Sequence, residues 1–266
     1  MNVTSRRAPR PTYRIPLGDL ALFALCLLAG SRRSFARDAA TLMECNRRLP
    51  RRIEGLTNIP EQGPFLLVMN HFSRRGLRPY HCAAIVTAAV ASRRPRDPEL
   101  RWAFTSEYVD VRAGPFVVPA WFLRWLFRRI ARVYGFVTIA RRPERVMERA
   151  AALRDLTRAL RSGPVALTPE GLESRGRLIV PQPGTGLFLA SLCQQGAPLL
   201  PVGLWEEDDG TFRVRFGKPW TLSLPPGLGR EEEDRRATTE VMRSIARLLP
   251  PDWRGAYAGP LTAEGC

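Results

Sequence analysis

From residue 64 onward, short apolar runs alternate with longer stretches whose apolar residues recur at helical spacing. Runs of about five residues fit buried strands, and the intervening stretches fit helices. The predicted strands are residues 65–69, 101–105, 135–140, 164–168, 198–204 and 212–217. The predicted helices are residues 80–91, 118–133, 144–161, 185–195 and 231–249. This alternation predicts an α/β fold with a mostly parallel or mixed central sheet flanked by helices.

The helix predicted at residues 118–133 separates two kinds of side chain. Arginines 124, 128 and 132 fall on one side with Trp121 and Trp125. The opposite side, predicted to face the core, carries Phe122, Leu126, Ile130 and Val133. Tryptophan beside arginine suits a lipid headgroup region. The alternative is an ordinary amphipathic helix whose tryptophans cover arginine stems.

Residues 20–30 form an apolar segment that follows four arginines. The segment is too short to span a bilayer. Charges at Arg32 and Arg33 follow it at once, which is unlike a cleaved secretory signal. Residues 15–50 are therefore predicted to form a pair of helices that lies on a membrane or packs on the domain.

The length of 266 residues allows one full α/β core. We divide the chain into a basic and apolar helical segment at 1–50, a main domain at 51–250 and a C-terminal tail at 251–266. The five cysteines are an odd number without Cys-x-x-Cys spacing, so neither a disulfide framework nor a zinc site is predicted. Cys82 and Cys193 lie in helix-like apolar segments and are expected to be small core residues.

The formal net charge of +16 favours polyanionic partners. Arginine supplies nearly all of it, since Lys218 is the sole lysine, and part of the excess can reflect base composition alone. An anionic membrane surface is the predicted partner. Nucleic acid is the minor alternative, because no zinc-finger spacing, aromatic RNA-binding signature or basic tail accompanies the charge.

Candidate chemistry follows two of the predicted strands. His71 comes directly after the strand at 65–69, and the Thr168–Gly171 turn closes the strand at 164–168. Open α/β sheets bind ligands at the carboxyl ends of their strands. At neutral pH, imidazole is well suited to take a proton from an alcohol. The alternative for His71 is a histidine held by neighbouring backbone, and His81 is expected to be structural.

Four blocks in order resemble the glycerophospholipid acyltransferase family, in particular its 1-acylglycerol-3-phosphate acyltransferases. The blocks are residues 52–73, 135–141, 168–171 and 197–203. The resemblance implies transfer of a fatty acyl group to the hydroxyl of a glycerolipid or related lipid. The implied donor is acyl-CoA or acyl carrier protein as co-substrate, with no further cofactor and no metal. It also implies peripheral or monotopic attachment at the cytoplasmic side of a membrane.

The same resemblance assigns roles to individual residues. His71 becomes the general base. The predicted substrate-binding residues are Asn70, Ser73, Arg141, Pro169, Glu170 and Gly171. In the family, the residues that match Arg141 and Glu170 hold the acceptor, and a guanidinium suits a phosphate.

The chain departs from the family pattern at four positions. Gly76 stands where the family has the aspartate that orients its histidine, and Ala140 stands where aspartate is common. Glu173 and Gln182 replace an arginine and a lysine. Candidate substitutes for the missing acid are Glu107, Asp110 or a backbone carbonyl, and Arg175 and Arg177 are candidates to replace the lost cations. The missing acid leaves a second hypothesis open, a non-catalytic lipid-binding relative.

Overall fold

The structure is a computed structural model that describes residues 10–96, 98–105, 112–113, 116–140, 146–172, 176–194 and 196–259. Its strands are β1 (Arg51–Glu54), β2 (Leu66–Met69), β3 (Arg101–Thr105), β4 (Arg112–Ala113), β5 (Phe116–Val117), β6 (Val137–Ile139), β7 (Val165–Leu167), β8 (Leu199–Glu206) and β9 (Phe212–Phe216). Its α-helices are α1 (Leu17–Ala29), α2 (Phe35–Cys45), α3 (Pro79–Arg93), α4 (Ala120–Tyr134), α5 (Val146–Ser162), α6 (Thr185–Cys193) and α7 (Arg230–Ala246).

Seven strands form one mixed sheet in the order β1-β9-β8-β2-β7-β3-β6. The five strands from β8 to β6 run parallel, and β9 pairs antiparallel with β8. The edge strand β1 is parallel to β9 and therefore runs opposite to the other five. The short strands β4 and β5 pair with each other as a separate antiparallel ribbon. The predicted mixed α/β architecture is confirmed.

Helices cover both faces of this sheet, which explains the continuous apolar runs of its central strands. Every residue of β2, β7 and β8 is buried. One core cluster joins α3 to one face, and another joins α5, α6 and α7 to the opposite face. All six predicted strands and all five predicted helices of the main domain are present, with ends shifted by a few residues.

The predicted N-terminal helical pair is present as α1 and α2. α2 packs its buried residues Ala39 and Leu42 against α3. α1 has no buried residue and contacts α4, where the Arg129 side chain donates to the carbonyls of Leu27 and Leu28. In the described part of the chain, no helix has both the length and the apolar character needed to cross a bilayer.

One detail of the α4 prediction is wrong. Phe122, assigned to the core face, is 37% exposed and stacks on the exposed Trp125. The fully buried positions of α4 are Leu123, Ala131 and Val133. The buried face of α4 is therefore rotated relative to the one that helical spacing alone predicts, and α1 contacts the second half of α4 at Arg129 and Tyr134.

Residues 251–259, assigned to a C-terminal tail, begin with two short 3-10 helices that pack on the main domain. The Leu178 N–H donates to the Trp253 carbonyl, and the Ala256 N–H donates to the Leu178 carbonyl. The Trp253 ring contacts Phe72 at a centroid distance of 5.6 Å. This segment therefore reaches the loop that follows β2.

Candidate functional site

The carboxyl edge of the sheet is where β2, β7 and β8 end and where β9 and β1 begin, as their registers require. His71 lies just beyond β2, and the Thr168–Gly171 turn lies just beyond the neighbouring strand β7. Two segments almost one hundred residues apart in the chain therefore meet at this edge. This meeting agrees with the predicted positions of the two strand ends.

Glu170 holds the backbone of His71. Its carboxylate accepts the His71 N–H at 2.5 Å through Oε2 and the Ile179 N–H at 3.1 Å through Oε1. The residue is only 1% exposed. A buried carboxylate that accepts backbone N–H bonds forms charge-assisted hydrogen bonds, which are stronger than neutral ones. Glu170 thus fixes where His71 leaves the sheet.

Asn70 extends the pairing of β2 with β8 through its side chain. Its Oδ1 accepts the Leu204 N–H at 2.7 Å, and its Nδ2 donates to the Leu204 carbonyl at 2.8 Å. The residue is fully buried. The side-chain amide of Asn70 therefore replaces a strand-to-strand backbone hydrogen bond where the chain begins to leave the sheet. The substrate-binding role predicted for Asn70 stays a prediction.

The loop after His71 is closed by a tight turn and a buried ion pair. Arg74 and Leu77 exchange backbone hydrogen bonds at 2.9 and 3.1 Å. The Arg74 guanidinium lies 2.6 Å from the carboxylate of Glu206 at the end of β8, and both side chains are almost fully buried. Removal of either partner of such a pair strongly destabilises the folded protein, because the remaining charge stays buried without a counterion. The position of the loop therefore depends on this pair.

Residues 10–16, called here the N-terminal strap, cross the same loop. The Tyr13 N–H donates to the Gly76 carbonyl at 2.8 Å, and Arg74 Nη1 donates to the Pro11 carbonyl at 2.6 Å. Gly76 has a φ of +82°, and a Cβ built there would lie 2.7 Å from Thr12 Oγ1. A side chain at 76 is therefore opposed by both the backbone conformation and the strap. The strap therefore covers Gly76, the position at which the sequence resemblance implies an aspartate.

His81 is structural, as predicted. Its Nδ1 accepts the Arg78 N–H at 2.9 Å at the start of α3. Burial, followed by the charges of Arg78 and Arg74, lowers its pKa from 6.5 to about 4. The imidazole is therefore neutral at physiological pH.

The C-terminal segment borders the Glu170 side of the site. Gly176, whose carbonyl lies 3.4 Å from Asn70 Nδ2, would place a Cβ 2.5 Å from the Trp253 ring. Burial, and next the charge of Glu170, raise the pKa of Tyr257 to about 12. Both chain ends of the described structure therefore pack around the loops that carry His71 and Glu170.

The other residues that the sequence singled out are buried, exposed or outside the described part of the chain. Ser73 and Pro169 are buried, and Gly171 is exposed at a φ of +64° that favours glycine. Arg177 and Gln182 are exposed. Outside the described residues lie Arg141, Glu107, Asp110, Glu173 and Arg175. No group of three metal-binding side chains occurs among the residues that are described.

Three contributors to the site were not found from the sequence: Thr12, Arg74 and Glu206. One signal was available for Glu206, because a carboxylate that ends a fully apolar strand is expensive to bury without a partner. No comparable signal existed for Thr12. It lies in a polar segment more than sixty residues before Gly76.

No family model matches the chain. A search of curated proteins finds no match either. Solved structures that match include the crystal structure of the 1-acyl-sn-glycerophosphate (LPA) acyltransferase PlsC from Thermotoga maritima. That match has 20% identity and a TM-score of 0.45, and it covers 87% of this chain and 88% of the other. A similarity of this size leaves the roles of individual residues to the geometry of this chain.

Proposed function

We propose that this protein is an acyltransferase that moves a fatty acyl group from a thioester donor to the hydroxyl of a glycerolipid or related lipid, with His71 as general base. The observation that carries the proposal is the junction of two motifs, in which the carboxylate of Glu170 holds the backbone of His71 at the carboxyl edge. A ligand site at this edge suits an open α/β sheet.

The proposed reaction is a direct transfer. The imidazole of His71 takes the hydroxyl proton while the alcohol oxygen attacks the thioester carbonyl. When the tetrahedral intermediate collapses, the carbon–sulfur bond breaks and the thiolate receives that proton from the imidazolium. The products are an ester and a free thiol. Glu170 contributes by fixing the start of the loop on which His71 stands.

The second candidate is a non-catalytic lipid-binding relative. The observation that favours it is the packing of Thr12 on Gly76, which opposes any side chain at that position, an orienting carboxylate included. In the reaction proposed above, such an acid would hold the imidazole tautomer and stabilise the imidazolium. The two candidates differ in turnover alone.

Acyl transfer from acyl-CoA to a panel of hydroxylated lipids separates the two candidates. We expect turnover by the wild type and a loss of about a hundredfold or more for His71→Ala. Thermal melting of the variant should match the wild type within a few degrees. Transfer by His71→Ala at the wild-type rate would reject His71 as base, and no transfer by the wild type with any acceptor would favour the non-catalytic relative.

The acceptor is proposed to carry little charge. Glu173 and Gln182 stand where the resemblance implies cations, so a phosphate is less well matched. We expect slower transfer to glycerol 3-phosphate than to an uncharged glycerolipid with a free hydroxyl. A preference for glycerol 3-phosphate would mean that Arg141, Arg175 or Arg177 supplies the missing charge.

We further propose that the protein attaches peripherally to anionic membranes. On α1, Leu17, Leu25 and Leu28 are 62–83% exposed, and on α4 Trp121 is 67% exposed. These two helices contact each other, so the exposed apolar side chains lie on neighbouring elements. Leucine and tryptophan beside arginine suit the interface of a bilayer.

Sedimentation with vesicles tests this attachment. We expect binding to vesicles that contain anionic lipid and weaker binding for Trp121→Ala/Trp125→Ala. The control is Met147→Ala, which removes an exposed apolar side chain on α5. Recovery of the wild type in the supernatant at low salt would reject membrane attachment and leave the acyl-transfer proposal untouched.

A further inference from the structure

A basic pocket lies at the carboxyl edge, beside the strap. It has a volume of about 590 Å³ and is lined by Thr12, Arg14 and residues 44–49. This volume is within the roughly 300–1,000 Å³ that is usual for small-molecule sites. Because β1 begins at Arg51 on the carboxyl edge, the lining residues that directly precede it lie at the same edge of the sheet as His71.

The pocket carries a net positive charge. Its lining has three arginines, at positions 14, 47 and 48, against the single carboxylate of Glu44. Glu44 pairs with Arg47 at 3.1 Å. Among the described residues, the guanidiniums of Arg14 and Arg48 make no hydrogen bond or ion pair with another side chain. Two exposed arginines that have no acidic partner in the described part of the chain are thus available to an anionic ligand.

The backbone of the pocket is held in place. Asn46 is buried, and its side chain accepts the Arg14 N–H at 2.9 Å and donates to the Arg14 carbonyl at 2.8 Å. Arg51 donates to the carbonyls of Asn46 and Met43 and so satisfies the carboxyl end of α2. Arg47 and Arg48 are therefore not needed to cap that helix. The two segments that carry the free arginines have a fixed separation.

The pocket is close enough to His71 to share one ligand. Thr12 lines the pocket and also contacts Gly76. The five Cα–Cα steps from His71 to Gly76 span at most about 18 Å. A ligand that reaches both places must be elongated, with anionic groups at one end and a reacting group at the other. Coenzyme A has this form, because its pantetheine arm separates the thioester from its phosphates.

We propose that this pocket binds the 3′-phosphorylated ADP moiety of an acyl-CoA donor, with Arg14 and Arg48 as its phosphate ligands. This inference rests on the proposed acyl transfer and deepens it by naming the donor class. A lipid headgroup fits less well, since the exposed leucines and tryptophans lie on α1 and α4, whereas the pocket is built from the strap and the carboxyl end of α2.

Binding measured by calorimetry without any acceptor tests the assignment. We expect acetyl-CoA to bind more tightly than 3′-dephospho-acetyl-CoA or S-acetylpantetheine, and we expect tighter binding at low salt. Arg14→Ala/Arg48→Ala should weaken acetyl-CoA binding by about tenfold or more and remove the preference for the 3′-phosphate. The control Arg154→Ala/Arg158→Ala removes two arginine charges from α5 and should change neither value.

Cys45 gives a second measurement, because it is exposed and lines the pocket. We expect acetyl-CoA to slow alkylation of Cys45, measured on its own peptide by mass spectrometry. Protection by anionic vesicles but not by acetyl-CoA would overturn the proposal in favour of lipid headgroups. Protection by an acidic acyl carrier protein alone would overturn it in favour of that donor.

Failure of this inference is distinguishable from failure of the proposed function. Equal use of acetyl-CoA and S-acetylpantetheine in acyl transfer would overturn the donor site while leaving the transfer established. If acetyl-CoA binding depends on Arg14 and Arg48 but the protein transfers no acyl group, the donor site is retained and the proposed acyl transfer is rejected.

Discussion

Replacing Glu170 by glutamine separates a positioning role from an acceptor-binding role. The carboxylate now accepts two backbone N–H groups, from His71 and Ile179, at a site that is 1% exposed. Glutamine keeps one acceptor oxygen and turns an NH2 group toward the other N–H. The variant therefore loses a charge-assisted bond and leaves a buried donor unsatisfied.

The expected loss follows from those two changes. A hydrogen bond to a charged group contributes about 1.5–3 kcal/mol, and an unsatisfied buried donor costs about 1–3 kcal/mol. Because these effects overlap, we expect Glu170→Gln to lower the free energy of unfolding by about 3 kcal/mol. For a chain of this size, that corresponds to a fall in Tm of roughly 6–12 °C.

Urea denaturation and thermal melting measure this loss, with Glu207→Gln as control. Glu207 is a partly exposed acid near the same edge, 3.5 Å from Arg213, and its replacement should change stability by less than about 1 kcal/mol. An acceptor-binding role for Glu170 predicts a raised KM with stability unchanged. Unchanged melting of Glu170→Gln would therefore refute the positioning argument.

Three further predictions follow from the surrounding loop. Glu206→Gln should cost about 3–5 kcal/mol by denaturation because it leaves Arg74 buried without its charge partner, and a loss below about 1 kcal/mol would contradict this. Gly76→Asp should lower Tm more than Gly63→Asp, since both glycines have positive φ but only Gly76 faces Thr12; equal losses would show that the strap contact contributes nothing. His81 has a lowered pKa, so its contribution to stability is complete above pH 6.5 and is lost as the pH falls toward about 4. Relative to His81→Asn, wild-type stability should fall by up to about 1.4 kcal/mol per pH unit in that window, and a constant difference from pH 7 to 4 would refute it.

The central strands were predictable because burial on both faces makes them continuous apolar runs. β2, β3 and β7 lie within or match their predicted ranges. β1 was missed because Arg51–Glu54 carries three charged residues on an edge strand, and its partner β9 lies about 160 residues further along the chain. No local pattern signals such a pairing.

The location of the candidate site was predictable from the sequence, and its contacts were less so. Strand ends placed His71 and Glu170 at one edge. The contacts of Asn70 with Leu204 and of Arg74 with Glu206 join positions more than 130 residues apart. A polar residue after a strand does not reveal from its sequence whether it faces a ligand or another backbone, since either satisfies its hydrogen bonds.

The positions of the strap and of residues 251–259 have a consequence for biosynthesis. The strap docks on Arg74 and Gly76, and Trp253 packs on Phe72 and Gly176. During synthesis the strap is made before β2 and β7, and residues 251–259 are made after them. The loop that carries His71 therefore gains its contact with Trp253 only after β9 and α7 have been synthesised. Truncated translation products would carry His71 on an incompletely packed loop.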